Sequence, residues 1–310
     1  MKVSVIVPTY NRKIWLKACL ESLVYQEFPK DEFEIIVIDD GSTDGTRQLM
    51  KQLIAKQNFK HLHYYYQKHQ GSAVARNSGI SKAKNAIIAC IDDDEIASSN
   101  WLSKIISKLE SQAMDGVGGL IRVFKPQKII ERYFDICLLN GKNTVGISEG
   151  LPATIPSGNC AFRKKILFEI GLFDPSVGLE DADLSWRLFF SGYKLAYVLD
   201  AITFHRYQGF LNSIRKMFIY GMNIAQLTFK QRKNLDKKNV RMKKPALSLM
   251  KELVSLVHGA RQVPGAYKAI PHQYRKGFMI YILLPFLNFL YFRTYRLGVL
   301  YWSFMNQNEQ

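Results

Sequence analysis

The sequence has few cysteines and no paired cysteine motif. Its four cysteines are far apart, which excludes a Cys-x-x-Cys redox pair and the usual zinc motifs: Cys19, Cys90, Cys137 and Cys160. Each lies among apolar residues, which predicts buried free thiols in a reducing compartment, although four cysteines are also enough for two disulfides. Internal repeats and low-complexity tracts are absent as well, so a repeat architecture is excluded.

Long hydrophobic runs are also missing. The longest uncharged run, Gly277–Phe292, has 16 residues, whereas about 20 are needed to cross the hydrocarbon layer. Two arginines follow it before the chain becomes apolar again. Three interpretations of residues 277–304 stay open: a re-entrant or interfacial helix pair, a spanning helix, or packing against the N-terminal domain or a second subunit. The N-terminal run Val3–Val7 is too short for a signal peptide and predicts a first strand.

Acidic residues are scarce in the last third of the chain. Residues 206–310 hold 18 of the 43 Lys and Arg but only three of the 26 Asp and Glu, and the net charge of the chain is +17. This asymmetry indicates a polyanionic partner, either nucleic acid, a phosphorylated ligand or an anionic lipid. The basic run 230–244 would meet lipid headgroups or form a solvated loop. We expect a domain boundary near residue 206.

The first 206 residues alternate between apolar strand patterns and helical patterns. This alternation predicts an α/β fold with a mostly parallel mixed sheet sandwiched by helices. The predicted strands are 3–7, 34–38, 61–66, 86–91, 117–124, 159–163, 193–199 and 202–206. The predicted helices are 12–25, 42–56, 71–82, 98–109 and 181–191, and a basic amphipathic helix, 209–230, follows the boundary.

Acids accumulate where two of the predicted strands end. Asp39-Asp40 follows the second strand and Asp92-Asp93-Asp94-Glu95 follows the fourth. Ligands bind at the carboxyl ends of strands in open parallel sheets, and hard divalent cations prefer carboxylate oxygens. Side chains alternate along an extended segment, so Asp92 and Asp94 would share a face and form the metal pair, with Asp93 pointing away. The alternatives are an exposed acidic loop and charges that favour a helix N-terminus.

Two helix starts carry further candidate groups. Arg76 lies near the start of the helix 71–82, and an Arg beside a helix N-terminus suits a diphosphate, although a surface Arg is equally consistent. The segment Glu180-Asp181-Ala182-Asp183 opens another helix. One of these acids would act as a general base, or all three would simply favour the helix start. Asp40 also has two interpretations: it would contact the base or ribose of a nucleotide, or it would belong to a turn and helix cap.

Taken together, these segments resemble the inverting family 2 glycosyltransferases, which have the glycosyltransferase A fold. The resemblance covers about residues 1–206, and five segments occur in the family's order. They are Val5-Ile-Val-Pro-Thr-Tyr-Asn-Arg12, Val37-Ile-Asp-Asp-Gly-Ser-Thr-Asp-Gly-Thr46, Ala75-Arg-Asn-Ser-Gly79, Ile91-Asp-Asp-Asp-Glu95, and Gly171-Leu-Phe-Asp174 followed by Glu180-Asp-Ala-Asp183.

The resemblance implies a role for each matching position. Residues 1–206 would be the catalytic nucleotide-sugar-binding domain, and 207–310 a basic, helical, membrane-associating region. Asp181 would be the catalytic base. His205 falls where some members place a further metal ligand, although a hydrogen-bonded structural histidine is equally consistent. The implied donor-binding residues are Pro8, Thr9, Asp40, Arg76 and Asp92, and the implied metal ligands are Asp92, Asp94 and His205, with Asp94 the more direct ligand.

The implied reaction is a single inverting displacement. Mg²⁺ or Mn²⁺ would neutralise the leaving diphosphate of a nucleotide sugar, with a UDP-sugar favoured, and Asp181 would deprotonate an acceptor hydroxyl. The acceptor would be a glycan or lipid-linked precursor at the cytoplasmic face of the cell membrane. No Gln-x-x-Arg-Trp motif of the processive members is present, which predicts one sugar per encounter.

The alternatives are a nucleotidyltransferase and a nucleic-acid-binding protein, but neither a Gly-rich loop after the first strand nor a nucleic-acid-binding module is found, so no nucleic-acid partner is expected. The sequence leaves the oligomeric state open.

Overall fold

The structure is a computed structural model. It describes residues 2–55, 61–111, 113–127, 131, 135, 147–148, 151–152, 154–206, 209–237, 297 and 301. The chain divides into two compact units. The first contains residues 1–125, 141–176 and 180–206, and the second contains residues 126–140, 177–179 and 207–310.

An eight-stranded mixed sheet forms the centre of the first unit. Its strands are β1 Val3–Thr9, β2 Phe33–Asp39, β3 Leu62–Tyr66, β4 Ile87–Ile91, β5 Glu95–Ala97, β6 Gly116–Val123, β9 Asn159–Arg163 and β10 Leu195–His205. They lie in the order β3-β2-β1-β4-β9-β6-β10-β5. The first four strands of this order run parallel, β9 is antiparallel to both neighbours, β10 is parallel to β6, and β5 is antiparallel to β10. A separate hairpin pairs β7 Ile147–Ser148 with β8 Leu151–Pro152.

Helices cover both faces of this sheet, as the uniformly apolar strands predict. Buried residues form one cluster with α1 and α4 on one face and a second cluster with α3 and α6 on the other. The helices are α1 Lys13–Val24, α2 Thr46–Ile54, α3 Ser72–Lys82, α4 Trp101–Ser111, α5 Lys164–Ile170 and α6 Glu180–Phe190, with a 3₁₀ turn at Lys30–Glu32. The mixed α/β sandwich is therefore confirmed.

Asn159 fastens the middle of the sheet. Its side chain is fully buried and accepts the indole N–H of Trp101, and its two N–H groups are shared among Leu120 O, Ala201 O and Thr203 Oγ1, each 3.1 Å from Nδ2. A buried amide with all these groups paired costs little, and it joins α4 to three strands. Gly119 leaves the space that this amide needs, since a Cβ there would lie 2.1 Å from Asn159 Oδ1.

The structure differs from the sequence prediction at several elements of the first unit, among them the hairpin of β7 and β8, which was not predicted. The two strands predicted at 193–199 and 202–206 are one strand, β10, with a register shift between Val198 and Ile202. In the sequence, such a bulge looks like the end of one strand and the start of another, because it interrupts the apolar strand pattern. The short strand β5 and the helix α5 were not predicted. Three of the cysteines, Cys19, Cys90 and Cys160, are buried and free as predicted, and Cys137 lies outside the described residues.

The second unit contains α7 Phe210–Lys230 and α8 Arg232–Lys237. The predicted helix 209–230 is confirmed by α7, whose exposed positions include Leu211 and Tyr220. Among the described residues, no helix combines the length and apolar character needed to cross a bilayer. Residues 238–244 of the basic run 230–244, and all of 277–304 except 297 and 301, lie outside the described residues. The boundary near residue 206 and the membrane-associating region therefore stay predictions.

Candidate active site

The four acids after β4 form a tight turn, not the extended segment that the sequence predicted. The backbone N–H of Glu95 donates to Asp92 O at 3.1 Å, which closes the turn before β5 begins. Side chains do not alternate through such a turn. The prediction that Asp93 points away from its neighbours is therefore wrong, and Asp93 and Asp94 instead bind the same arginine.

Arg12 supplies the positive charge at this turn. Its Nη1 atom lies 2.9 Å from Asp93 Oδ1 and 2.9 Å from Asp94 Oδ2. The hydroxyl of Thr9 donates to Asp93 Oδ2 at 2.7 Å. Burial raises the pKa of Asp93 to about 6, although Arg12 and Thr9 both act to lower it. Even with these partners, crowding the carboxylates into a buried turn is costly for their ionised forms.

His205 ends β10 beside the same turn. Its Nε2 atom lies 3.5 Å from Asp94 Oδ2, the oxygen that also contacts Arg12. Its position follows from sheet pairing, because His205 is opposite Glu95 in the antiparallel pair of β10 and β5. The structure thus brings together Asp94 and His205, two of the three predicted metal ligands.

Asp92, the third predicted ligand, binds Arg76. Arg76 Nη2 donates to Asp92 Oδ1 at 2.6 Å, and Arg76 Nη1 donates to Glu180 Oε1 at 2.8 Å. Burial by itself would lower the pKa of this guanidinium, but the two carboxylates outweigh burial and raise the pKa well above its usual range. The hydroxyl of Ser72 donates to the same Glu180 oxygen. These contacts tie the acidic turn to the first turns of α3 and α6.

The three predicted metal ligands do not form a closed site in this conformation. In the part of the chain that the structure describes, no three His, Cys, Asp or Glu side chains are grouped so that they could hold one metal ion. Arg76 and Arg12 pair with the carboxylates instead. The metal-binding role of Asp92, Asp94 and His205 stays a prediction.

Asp181 lies in the first turn of α6, next to Glu180. Its Oδ1 atom accepts the N–H of Ala182 at 2.8 Å, and its carbonyl accepts the hydroxyl of Ser185. Burial raises the pKa of Tyr197 well above its usual range, and the negative charge of Asp181 adds to the shift. The link from Glu180 through Arg76 to Asp92 brings this helix start to the acidic turn.

Asp40 organises the loop that leads into α3. Its Oδ1 atom accepts Gln67 Nε2 and the N–H of Gln70, and its Oδ2 atom accepts the N–H of Gly71 and contacts His69 Nδ1 at 2.7 Å. The carboxylate is 4% exposed, so in this conformation it holds the loop in place. The imidazole of His69 in turn stacks on exposed Tyr10 at 4.0 Å.

The carboxyl ends of parallel strands β1, β2 and β4 place most of these groups at one edge of the sheet. Thr9, Asp39 and Ile91 are at these strand ends, and Pro8 is buried in β1. The loops after β1 and β2 are also joined directly, since Asp44 Oδ2 accepts the N–H of Lys13 and Asn11 Oδ1 accepts the N–H of Thr43. Acids, arginines and aromatic side chains therefore meet at this edge of the sheet.

Arg12 received no role from the sequence, and Glu180 was considered only as one of three acids at a helix start. Both lie inside segments of the family resemblance, at its first and last motifs. The available signal was position alone, because Arg12 follows a strand that ends at the same edge as the acids. Tyr10 and His69 were missed for the same reason.

Comparison with known proteins decides the family. The sequence profile of glycosyl transferase family 2 matches residues 4–171, more than half of the chain. The chain belongs to glycosyl transferase family 2. In this glycosyltransferase, the matched region contains both loops that join at the sheet edge, the acidic turn and Arg76. Asp181 and His205 lie beyond the matched region.

Individual relatives agree with this family membership. The chain is 30% identical over 230 residues to glycosyltransferase AglE of Haloferax volcanii, with 73% of each chain covered. It is 31% identical over 124 residues to a dolichyl N-acetyl-α-D-glucosaminyl phosphate 3-β-D-2,3-diacetamido-2,3-dideoxy-β-D-glucuronosyltransferase of Methanococcus voltae, covering 38% of this chain and 39% of the relative. The chain spans half or less of the length of three further curated relatives.

A solved structure supports the fold. The mannosyltransferase PcManGT of Pyrobaculum calidifontis, in complex with GDP-Man and Mn²⁺, aligns with a TM-score of 0.66 and 19% identity. The alignment covers 96% of this glycosyltransferase and 87% of PcManGT. At this identity, the similarity establishes a shared nucleotide-sugar transferase fold of the glycosyltransferase A type.

Proposed function

We propose that this glycosyltransferase transfers one sugar from a nucleoside diphosphate sugar to an acceptor hydroxyl, with inversion at the anomeric carbon and with a divalent cation. The observation that carries the proposal is the link through Arg76, which joins Asp92 in the acidic turn to Glu180, the neighbour of Asp181. The acidic turn, which would bind the donor, and Asp181, the proposed base, then belong to one connected site, as a direct displacement requires.

The donor would bind along the carboxyl ends of β1, β2 and β4. Exposed Tyr10, stacked on His69, offers an aromatic face for the base next to Thr9 and Asp40. The buried Nε atom of Arg76 has no hydrogen-bond partner among the described residues. A buried donor of this kind suits a diphosphate oxygen. A UDP-sugar is favoured by the family resemblance, and the GDP-Man complex of PcManGT makes a GDP-sugar the first competing donor.

The residues at the acidic turn fit a divalent cation. Asp94 and His205 lie 3.5 Å apart and offer one carboxylate oxygen and one imidazole nitrogen, a donor set suited to Mn²⁺. Mg²⁺ is also a hard cation that accepts carboxylate ligands. Proteins commonly hold it with one or two carboxylates plus substrate phosphates, so a third protein ligand is not required. Asp94 and His205 would hold the ion, and the ion would supply charge neutralisation for the leaving diphosphate.

Asp181 would act as the general base. It would take the proton of the acceptor hydroxyl while that oxygen attacks the anomeric carbon from the side opposite the diphosphate. One displacement inverts the configuration and needs no carboxylate nucleophile, unlike a retaining double displacement. The lack of a Gln-x-x-Arg-Trp motif supports transfer of a single sugar in each encounter.

The acceptor would be a lipid-linked or cell-surface glycan precursor at the cytoplasmic face of the membrane. Two observations support this part of the proposal. The relative from Methanococcus voltae is named for a dolichyl phosphate sugar acceptor. The excess of Lys and Arg after residue 206 would favour an anionic membrane surface near that acceptor.

A donor screen tests the proposal. The full chain with MnCl₂ is incubated with UDP-, GDP- and dTDP-sugars in the presence of membrane lipid extract, and nucleotide release and product configuration are measured. We expect release with one class of donor, dependence on Mn²⁺ or Mg²⁺, and an inverted product. Folded protein that releases no nucleotide from any of these donors would contradict the proposed reaction.

A further inference from the structure

We propose that Arg12 is a built-in counter-cation of the acidic turn, which a divalent cation displaces from Asp94 when it binds. This inference deepens the proposed function and rests on its metal site. The geometry that carries it centres on one atom. Asp94 Oδ2 contacts Arg12 Nη1 at 2.9 Å and His205 Nε2 at 3.5 Å.

A metal ion held by Asp94 and His205 would need this same oxygen. Ligand oxygens and nitrogens lie about 2.0–2.2 Å from Mg²⁺ or a comparable transition metal ion. A guanidinium in direct contact with that oxygen would then lie close to a divalent cation, and the two positive charges would repel each other. Arg12 and the metal therefore compete for Asp94.

Without a metal, the turn needs a cation of its own. Asp93 and Asp94 are adjacent in the chain and only 4% and 8% exposed. Adjacent buried carboxylates that lack a counter-charge are costly to keep ionised. Arg12 meets this need through a single nitrogen that bridges both acids.

The two arginines of the site differ in how easily they could leave. Arg76 is 4% exposed and is held by two carboxylates, so it is a permanent part of the site. Arg12 is 44% exposed and projects from the loop before α1, where its side chain can turn toward solvent without opening the core. A displaceable counter-cation requires this combination of a buried anion and an exposed cation.

Removing the Arg12 charge should therefore strengthen metal binding. We expect Arg12→Gln to bind Mn²⁺ about tenfold more tightly than the unaltered protein, because the competing charge is gone. The measurement is calorimetric titration of the full chain with MnCl₂, alone and with saturating UDP. Lys17→Gln, which removes an exposed charge from α1, the helix that follows Arg12, is the matched control and should leave the Mn²⁺ affinity within about twofold, since exposed charges are screened.

The same variant should lose stability when no metal is present. We expect the melting temperature of metal-free Arg12→Gln to be about 2–4 °C lower than that of the metal-free unaltered protein. Saturating MnCl₂ should raise the melting temperature of the variant by more than it raises that of the unaltered protein. An unchanged melting temperature without metal would overturn the counter-cation role. Unaltered protein that binds Mn²⁺ while Arg12→Gln binds it equally or more weakly would overturn the competition and leave the proposed metal site standing.

A measurement on the unaltered protein covers the case in which the variant fails to fold. In a crystal structure of the complex with Mn²⁺ and UDP, we expect Arg12 Nη1 to have left Asp94 Oδ2. A bound ion with this contact still at 2.9 Å would overturn the inference. If the unaltered protein binds no Mn²⁺ in the titration, and the donor screen shows metal-independent release, the metal site itself is wrong and the inference falls with it.

Discussion

Asp181 is the residue on which the proposed chemistry depends most directly. Its carboxylate lies at the first turn of α6, and the neighbouring Glu180 is locked to Arg76 and Ser72. Because Glu180 is fixed by these contacts, the backbone that carries Asp181 is held relative to the acidic turn. A base placed on a rigid element in this way keeps its geometry when its own side chain is changed.

We therefore expect Asp181→Asn to keep donor binding and lose transfer. A positioned general base contributes about 10²–10⁴-fold, so kcat should fall by about that factor while the donor KM changes little. Steady-state kinetics with the donor found in the screen provide the measurement. Asp200→Asn, at an exposed acid paired with Lys104, is the matched control and should retain activity. A fully active Asp181→Asn would show that another residue is the base.

At the scale of elements, the sheet depends on the junction of β6, β9 and β10 with α4. Asn159 satisfies the Trp101 indole N–H, two backbone carbonyls and the Thr203 hydroxyl from a fully buried position. The residue before it, Gly158, lies against the acidic turn, since a Cβ there would be 2.8 Å from Asp92 Oδ2. Sheet integrity and site geometry are therefore linked through the start of β9.

Truncating this buried amide should destabilise the first unit substantially. We expect Asn159→Ala to lower the free energy of unfolding by about 3 kcal/mol, because several buried polar groups lose their partner at once. Denaturant unfolding followed by circular dichroism measures the change. Gln52→Ala, at an exposed position on α2, is the control and should change the stability by less than about 0.5 kcal/mol. An equal effect of the two substitutions would contradict the structural role assigned to Asn159.

For the whole molecule, the dominant property is its charge distribution. The net charge of +17 comes almost entirely from residues 206–310. The described part of this region, α7 and α8, has an excess of Lys and Arg and exposes Leu211 and Tyr220. Basic residues near an anionic lipid surface contribute about 1 kcal/mol each, so such a chain would be attracted to membranes.

We expect the full chain to bind vesicles of phosphatidylcholine mixed with phosphatidylglycerol and to dissociate as the salt concentration rises. Charge attraction is screened over about 8–10 Å at physiological ionic strength. Binding should therefore weaken steeply when the salt concentration rises above the physiological value. Co-sedimentation measures the bound fraction, with pure phosphatidylcholine vesicles as the control. Equal binding to both kinds of vesicle, or to neither, would contradict a charge-driven membrane contact. Tight, salt-dependent binding to duplex DNA instead would favour the nucleic-acid alternative.

The sequence by itself determined the local elements and the residue types at the strand ends. Uniformly apolar runs predicted the strands, and helical spacing predicted most helices, because these patterns reflect burial that each segment needs regardless of its partners. The five motifs also identified the family. The bulge in β10 was missed because it interrupts the apolar pattern within one strand. The strand β5 was missed because it has only three residues, the first of which ends the acidic run.

Only the tertiary structure decided which charges meet. Asp92 pairs with Arg76, and Asp93 and Asp94 pair with Arg12, which lies more than 80 residues earlier. His205 reaches Asp94 because two strands distant in sequence are neighbours in the sheet. Ion pairs and hydrogen bonds depend on distances of a few ångströms, and these distances are set by how the strands and loops pack, so no local pattern in the chain encodes them.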